Sequence, residues 1–269
     1  MDSKAPLHPY YPLNAQIYDY APNEASLFSI LTTASVGAAA LLGIIFTLSG
    51  RLRPALTKAD RLAILWFALS GTIHCFFEGY FMINHARMAS AQDFFGQLWK
   101  EYALSDSRYM TSDTLVLCME TITVLLWGPL CFLVAYLTLS QHPLRHPLQI
   151  IVCMSHLYGD ALYYATSLFD HYVHDRPYCR PEPYYFWVYY FLMNFIWIVV
   201  PFCTFPTDPL LDFHSSWAND GHRLSLPEYP DNNGGPQSLG KSFQTAQGPI
   251  REMYSENDVT PVINGTASR

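Results

Sequence analysis

The sequence predicts an all-α integral membrane protein with five transmembrane helices. Three observations point there. Hydrophobic residues make up 51% of the 269-residue chain and charged residues only 14%, against about 25% charged in soluble domains. Five long apolar runs carry most of that hydrophobicity, and each can cross the ~30 Å hydrocarbon layer as a helix. The charges gather between and after the runs. The chain thus divides into an amino-terminal segment (1–26), a five-helix membrane domain (27–205) and a polar tail (206–269).

Composition also excludes some classes. The net charge of −7 comes largely from loops and tail, which argues against a nucleic-acid partner. Cys75, Cys118, Cys131, Cys153 and Cys203 lie in or beside apolar runs, and only Cys179 sits in a connecting loop. Without CxxC or paired loop cysteines, neither a disulfide framework nor a thiolate metal site is expected. Residues 1–26 carry Asp2, Asp19, Glu24 and four prolines, so they lack the apolar core of a cleavable signal.

In order, residues 1–26 are expected to be extended on one membrane face. The first run, Leu27 to Gly50, is free of charge, and its Gly37, Gly43 and alanine row suit close helix contact, including a homodimer. Arg51, Arg53, Lys58 and Arg61 form the densest basic cluster, and short basic loops stay cytosolic. The second run is Leu62 to Ile83. In the connection 85–113, Phe94, Phe95, Leu98, Trp99 and Tyr102 recur at helical steps and predict an amphipathic helix on the membrane surface. The third run, Leu115 to Leu139, contains Trp127-Gly-Pro129, where proline should kink a helix. The tight turn Gln141–Arg145 leads to the fourth run, Leu148 to Phe169. The fifth, Tyr184 to Phe205, opens with an interfacial aromatic belt. The tail has a disordered composition. Five spans and the basic first loop place the amino terminus in the lumen and the carboxy terminus in the cytosol. On that topology the sequon Asn264-Gly-Thr266 stays unglycosylated.

Ionisable residues inside apolar runs are costly and usually functional. His74 and Glu78 are four residues apart, hence on one helix face. They read either as a structural pair locking two helices or as an acid/base pair. Glu120 shares its face with Thr123 and Trp127, and Asn194 lies one turn from Trp197. Thr123 and Asn194 alone are as readily interhelical hydrogen bonds. Together, two carboxyls and indole faces are what a dry site needs to stabilise a positive charge. His156 and Asp160 form a further pair, for which a structural role is at least as good a reading. Asp106 and Arg108 read as a loop-ordering ion pair more than a direct participant. His142/His146 and His171/His174 have metal-like spacing, but they flank opposite ends of the fourth run and Pro143 and Pro147 break the helix the first pair needs. No metal site is expected, and no P-loop, GxSxG or GxGxxG occurs.

Several motifs carry a family resemblance. They are Leu98-Trp-Lys-Glu-Tyr102, Asp106-Ser-Arg-Tyr109, Cys118-Met-Glu-Thr-Ile-Thr123, Leu126-Trp-Gly-Pro-Leu130, Gln141-His-Pro-Leu-Arg145, Tyr158-Gly-Asp160, Tyr185-Phe-Trp187, Met193-Asn194 with Trp197 and Pro201, and His74-x-x-x-Glu-Gly79. Pro6-Leu-His-Pro-Tyr10 belongs with them. The chain over about residues 6–204 resembles the emopamil-binding protein family, the sterol Δ8-Δ7 isomerases of the endoplasmic reticulum. The tail departs from that family's short lysine-rich terminus.

The resemblance implies a five-helix membrane fold with a sterol cavity open toward lipid, and no cofactor. It implies migration of a ring double bond from 8(9) to 7(8): a proton adds at C9, a carbocation forms at C8, and a proton leaves C7. The active residues map onto His74, Glu78, Glu120, Thr123, Asn194 and Trp197, with Asp106, Arg108, Tyr109 and Asp160 as supports. Glu78 and Glu120 would flank the cation, Trp197 would lend its face, His74 would donate or relay the proton, and Thr123 and Asn194 would orient the carboxylates. The partners expected are a Δ8-sterol, the bilayer and cationic amphiphilic amines, which imitate the carbocation. A non-catalytic sterol-binding relative is the main rival, and a small transporter is a weaker one because repeated halves are missing.

Overall fold

The structure is a computed structural model that describes residues 8–204. The tail from 206, its sequon and residues 1–7 lie outside the described residues. All regular structure among the described residues is helical. Six helices follow in order: α1 (Leu27–Leu52), α2 (Lys58–Ser90), α3 (Phe94–Tyr102), α4 (Thr114–Leu139), α5 (Arg145–Val173) and α6 (Tyr185–Thr204). By length and composition α1, α2, α4 and α6 can cross a membrane. The 29-residue α5 is long enough but less apolar.

Caps, more than apolarity, set where the helices end. The Thr57 hydroxyl accepts from Asp60 N, so α2 starts four residues before its apolar run. Asp60 lies in that first turn, where a carboxylate complements the helix dipole. Arg145 Nη1 reaches Asp60 Oδ1 at 3.1 Å and ties the start of α5 to the start of α2. Asp113 caps α4 by accepting from Leu115 N and Val116 N.

Three helices contain a widened π turn. These are Ile73–Glu78 in α2, Thr123–Trp127 in α4 and Tyr185–Leu192 in α6. The α4 turn has a local cause. Pro129 has no N–H and its ring crowds the carbonyl four residues back; Gly128 N bonds Thr123 O, five residues back. Single π turns recur at functional sites, and each of these three holds or adjoins a candidate site residue.

α2 runs alongside α4, and α5 packs on both α4 and α6. Two apolar clusters lie along these helices. One joins Phe67, Ala68, Cys131, Val134, Val152 and Cys153. The other joins Phe81, Trp99, Tyr109, Val116, Tyr163 and Tyr190. Along α2, α4 and α5 alike, the candidate polar residues fall between the two.

Two expectations change at the second cluster. Residues 8–26 are not simply extended over a surface: Tyr10 and Ile17 are fully buried in it. Tyr10 donates to Lys100 O at 3.1 Å, Asn23 to Gln97 O at 2.9 Å, and Lys100 Nζ to Ala21 O at 2.8 Å. The segment is therefore a lid fastened to α3. The helix α3 forms where its periodicity predicts, capped by Asp93, but it is not only a surface helix. Trp99 is buried, stacks on Phe77 at 4.2 Å and donates Nε1–H to Phe77 O inside the α2 π turn. Lys100 is buried too, and desolvation pulls its pKa below the usual lysine value.

Candidate active site

The site forms where α2 and α4 approach most closely. A Cβ on Gly128 would meet Cys75 Sγ at 2.5 Å and Cys75 N at 3.3 Å. One on Gly71 would meet Phe132 Cγ at 3.0 Å and Gly128 O at 3.1 Å. A side chain at Gly128 would force a shift and one at Gly71 would be tightly crowded, so the two glycines let the α2 π turn lie directly against α4.

His74 and Glu78 lie at the second and last positions of this π turn and bond each other. His74 Nδ1 lies 2.8 Å from Glu78 Oε2 and 2.9 Å from Oε1. His74 is buried, whereas Glu78 keeps 14% of its side chain exposed. The other ring nitrogen, His74 Nε2, lies 3.1 Å from Nε2 of His156 on α5. Trp197 on α6 covers both imidazoles, with ring centroids at 5.2 and 5.3 Å, and rests on Trp66 at 4.7 Å.

Glu120 on α4 is the second carboxyl, and it neighbours and interacts with Glu78. Tyr109 donates its hydroxyl to Glu120 Oε1 at 2.7 Å. Burial, and then the Glu120 charge, raise the Tyr109 phenol well above its ordinary pKa, so it stays a donor. Tyr109 reaches that carboxyl because the turn before it is clamped. Arg108 and Asp106 are fully buried and form a fork, with Nη2 to Oδ2 at 2.6 Å and Nε to both oxygens at 3.0 Å. Arg108 also donates to Thr166 Oγ1 at 3.0 Å and lies over the Tyr163 ring at 4.9 Å, which fastens the turn to α5. Burial opposes the Arg108 charge, but Asp106 outweighs it and raises the pKa.

Two expected orienting groups face elsewhere. Thr123 donates to Met119 O at 2.9 Å, one turn back in its own helix, and not to a carboxylate. Such back-bonding satisfies a hydroxyl in an apolar helix. Asn194 accepts from Tyr102 OH at 3.1 Å and donates to Tyr190 O at 2.7 Å. Burial raises the Tyr102 phenol, which keeps it a donor. Asn194 thus joins α6 to α3.

The pairing of His156 with Asp160 is also corrected. His156 turns to His74, while its Nδ1 and Asp160 Oδ2 are buried without hydrogen-bond partners among the described residues. Asp160 still lies close enough to feel the charge of Glu78. His142, His146, His171 and His174 are all remote from this centre in sequence, at the ends of α5. A different set converges: His74, His156 and Cys131 place ligand atoms within 4.8 Å of one another. The signal for His156 was its bare presence in an apolar run; the residue it meets, 82 positions away, has no mark in local spacing.

Glu78, Glu120, Thr123, Asn194 and Trp197 are half-buried, whereas His74, His156 and Asp160 are buried. The arrangement is a carboxyl pair with one open side, backed by an imidazole and faced by an indole. It can pass a proton and hold a nearby positive charge.

Known proteins are similar to this chain over most of its length. The family described as EXPERA (EXPanded EBP superfamily) matches residues 94–205. A 3-beta-hydroxysteroid-Delta(8),Delta(7)-isomerase of Cavia porcellus is 39% identical over 200 residues, covering 74% of this chain and 86% of that protein. The chain belongs to the EXPERA superfamily. The isomerase of the same name from Rattus norvegicus is 40% identical over 197 residues, or 73% of this chain and 84% of its own. An isomeliandiol synthase of Melia azedarach is 36% identical over 151 residues, or 56% of this chain and 68% of its own. The Glu78–His74 and Glu120–Tyr109 contacts thus lie in a scaffold that its relatives use for enzyme chemistry.

Proposed function

We propose that this chain is a sterol Δ8-Δ7 isomerase that moves the ring double bond from 8(9) to 7(8). The supporting observation is the pair of neighbouring carboxyls, Glu78 and Glu120, with an imidazole bonded behind one and a phenol bonded to the other. It occurs in a chain about 40% identical to named isomerases over most of both lengths.

Two carboxyls side by side in a dry site are most stable sharing one proton. That proton adds to C9 of the Δ8-sterol, the electron pair of the alkene forms the new C–H bond, and C8 becomes cationic. A basic carboxylate then takes the C7 proton, and the C7–H electrons form the 7(8) double bond. No electron is gained or lost. The charge on Glu78 and Glu120 and the face of Trp197 stabilise the cation. His74 passes the proton to and from Glu78. Tyr109 holds Glu120 in place, and Asn194 fixes α6 so that Trp197 faces the site. Thr123 contributes methyl contact more than a hydroxyl.

In this reading α5 is the fifth span, and the sterol enters from lipid past the half-buried side of the site. Protonated amphiphilic amines compete by imitating the cation. The enzyme resides in the endoplasmic reticulum membrane with a lumenal amino terminus and a cytosolic carboxy terminus. The exposed small-residue face of α1 around Gly37 and Gly43, which nothing approaches within 4 Å, is available to a second copy.

Expression in cells lacking sterol Δ8-Δ7 isomerase tests the assignment. Δ7-sterols should replace the accumulated Δ8-sterols. If Δ8-sterols persist while the protein is folded and correctly localised, the chain is a binding protein and not this enzyme.

A further inference from the structure

The mechanism above uses His74 through its Nδ1 and leaves its Nε2 facing two groups that have no part in the chemistry. His156 Nε2 lies 3.1 Å away, and Cys131 Sγ lies 4.0 Å from that same nitrogen. The three ligand atoms fall within 4.8 Å of one another, on three different helices, and all three residues are buried. About 2.0–2.1 Å for Zn–N and 2.3 Å for Zn–S place tetrahedral ligands roughly 3.3–3.6 Å apart. The 3.1 and 4.0 Å separations lie within about half an ångström of that range, and the third pair, within 4.8 Å, closes by about 1 Å at most when the ion binds.

We propose that His74, Cys131 and His156 form a site for a borderline-soft divalent cation of the Zn²⁺ class, whose binding shuts off the isomerase.

Three features of the cluster fit a cation beyond mere proximity. The donor set, two imidazoles and one thiolate, is the soft-to-borderline set that selects zinc over magnesium or calcium. The second shell is already in place: Glu78 accepts from His74 Nδ1, which aims the Nε2 lone pair at the ion and is the carboxylate–histidine–metal arrangement. Charge also balances. A buried dication is costly unless neutralised, and one Cys131 thiolate plus the Glu78 carboxylate supply two negative charges. Binding releases the Cys131 thiol proton and shifts the His156 proton from Nε2 to Nδ1, so that both Nε2 lone pairs face the ion. Three protein ligands leave a fourth position for an exchangeable water. The ion would hold His74 and Glu78 in fixed roles, so neither could carry a proton. This consequence for activity rests on the isomerase reading; the binding itself does not.

The test uses full-length protein, purified through a tag without histidine and placed in lipid nanodiscs. Titration with Co²⁺ should give one equivalent of bound metal, with visible d–d bands and a near-ultraviolet thiolate-to-cobalt band. Cys131→Ser should lose the thiolate band, and Glu78→Gln should weaken binding about 10- to 100-fold. Buffered Zn²⁺ should inhibit turnover of a Δ8-sterol and a chelator should restore it. Cys131→Ser should keep wild-type activity without zinc while its inhibition curve moves at least about tenfold to higher zinc. Absence of a cobalt signal, a thiolate band that survives Cys131→Ser, or equal zinc inhibition of both proteins would overturn the proposal. A protein that binds cobalt through Cys131 but turns over no sterol would leave the site standing and remove the isomerase reading.

Discussion

Two acid–base pairs lie a short distance apart in this molecule and differ in how completely they are satisfied. Asp106 and Arg108 are fully buried, and Arg108 spends its donors on both carboxylate oxygens, Thr166 and the Tyr163 carbonyl. Both carboxylate oxygens and four of the five guanidinium N–H groups are thus engaged within the protein. Glu78 and Glu120 interact with each other, take donors from His74 and Tyr109 respectively, and are each only partly buried. A saturated pair gives structure. In the proposed mechanism, a carboxyl pair with one side partly open carries the chemistry. Charge inside an apolar region does not separate the two roles, because both pairs have it.

The largest effect should come from the unsaturated pair. Glu78→Gln and Glu120→Gln each remove an acid/base group, so turnover of a Δ8-sterol should fall about 10²–10⁴-fold while the folded yield in membranes stays near wild type. Full turnover in either variant would remove that residue from the mechanism.

The saturated pair should fail the other way. Arg108→Met leaves Asp106 as an uncompensated buried charge, which costs about 3–5 kcal/mol. Folded yield and thermal midpoint should drop steeply, while whatever protein remains folded keeps activity within several-fold. A stable Arg108→Met protein without activity would reverse the two roles.

Tyr109 links the pairs, and Tyr109→Phe should show an intermediate effect. Loss of a hydrogen bond to a charged group is worth about 1.5–3 kcal/mol, or roughly 10- to 100-fold in rate, with little change in stability if Arg108 still holds the turn. The smallest effect belongs to Thr123→Val. Its hydroxyl is engaged with Met119 O, so kcat and KM should move less than about threefold. A large loss would restore Thr123 as a group that contacts the carboxylates.

The residues differ in how far they could be read from the chain alone. His74, Glu78 and Glu120 stood out as candidates because an ionisable side chain inside an apolar run is costly, and the structure shows which partners each one meets. Their helices were legible from the length of the apolar runs, with starts a few residues earlier at the Thr57 and Asp113 caps and an end of α2 seven residues beyond Ile83. The partners of Thr123 and Asn194 were not, because a hydroxyl or amide in a helix can bond its own backbone or a neighbour, and spacing does not choose. His156 was visible, but its meeting with His74 is a property of how α5 sits against α2. The buried lid formed by Tyr10 and Ile17 was hidden by a polar, proline-rich composition. Its contacts with Lys100, Gln97 and Arg180 reveal it.

The central claim is that the Glu78–Glu120 centre protonates an alkene. Turnover of a Δ8-sterol by purified protein in nanodiscs made up in D₂O measures it most directly, by mass spectrometry of the Δ7 product. The account predicts one solvent deuterium at C9 in the wild-type product, and no labelled product above background from Glu78→Gln or Glu120→Gln. Product that forms at the wild-type rate without deuterium at C9, or labelled product from both glutamine variants, would contradict it.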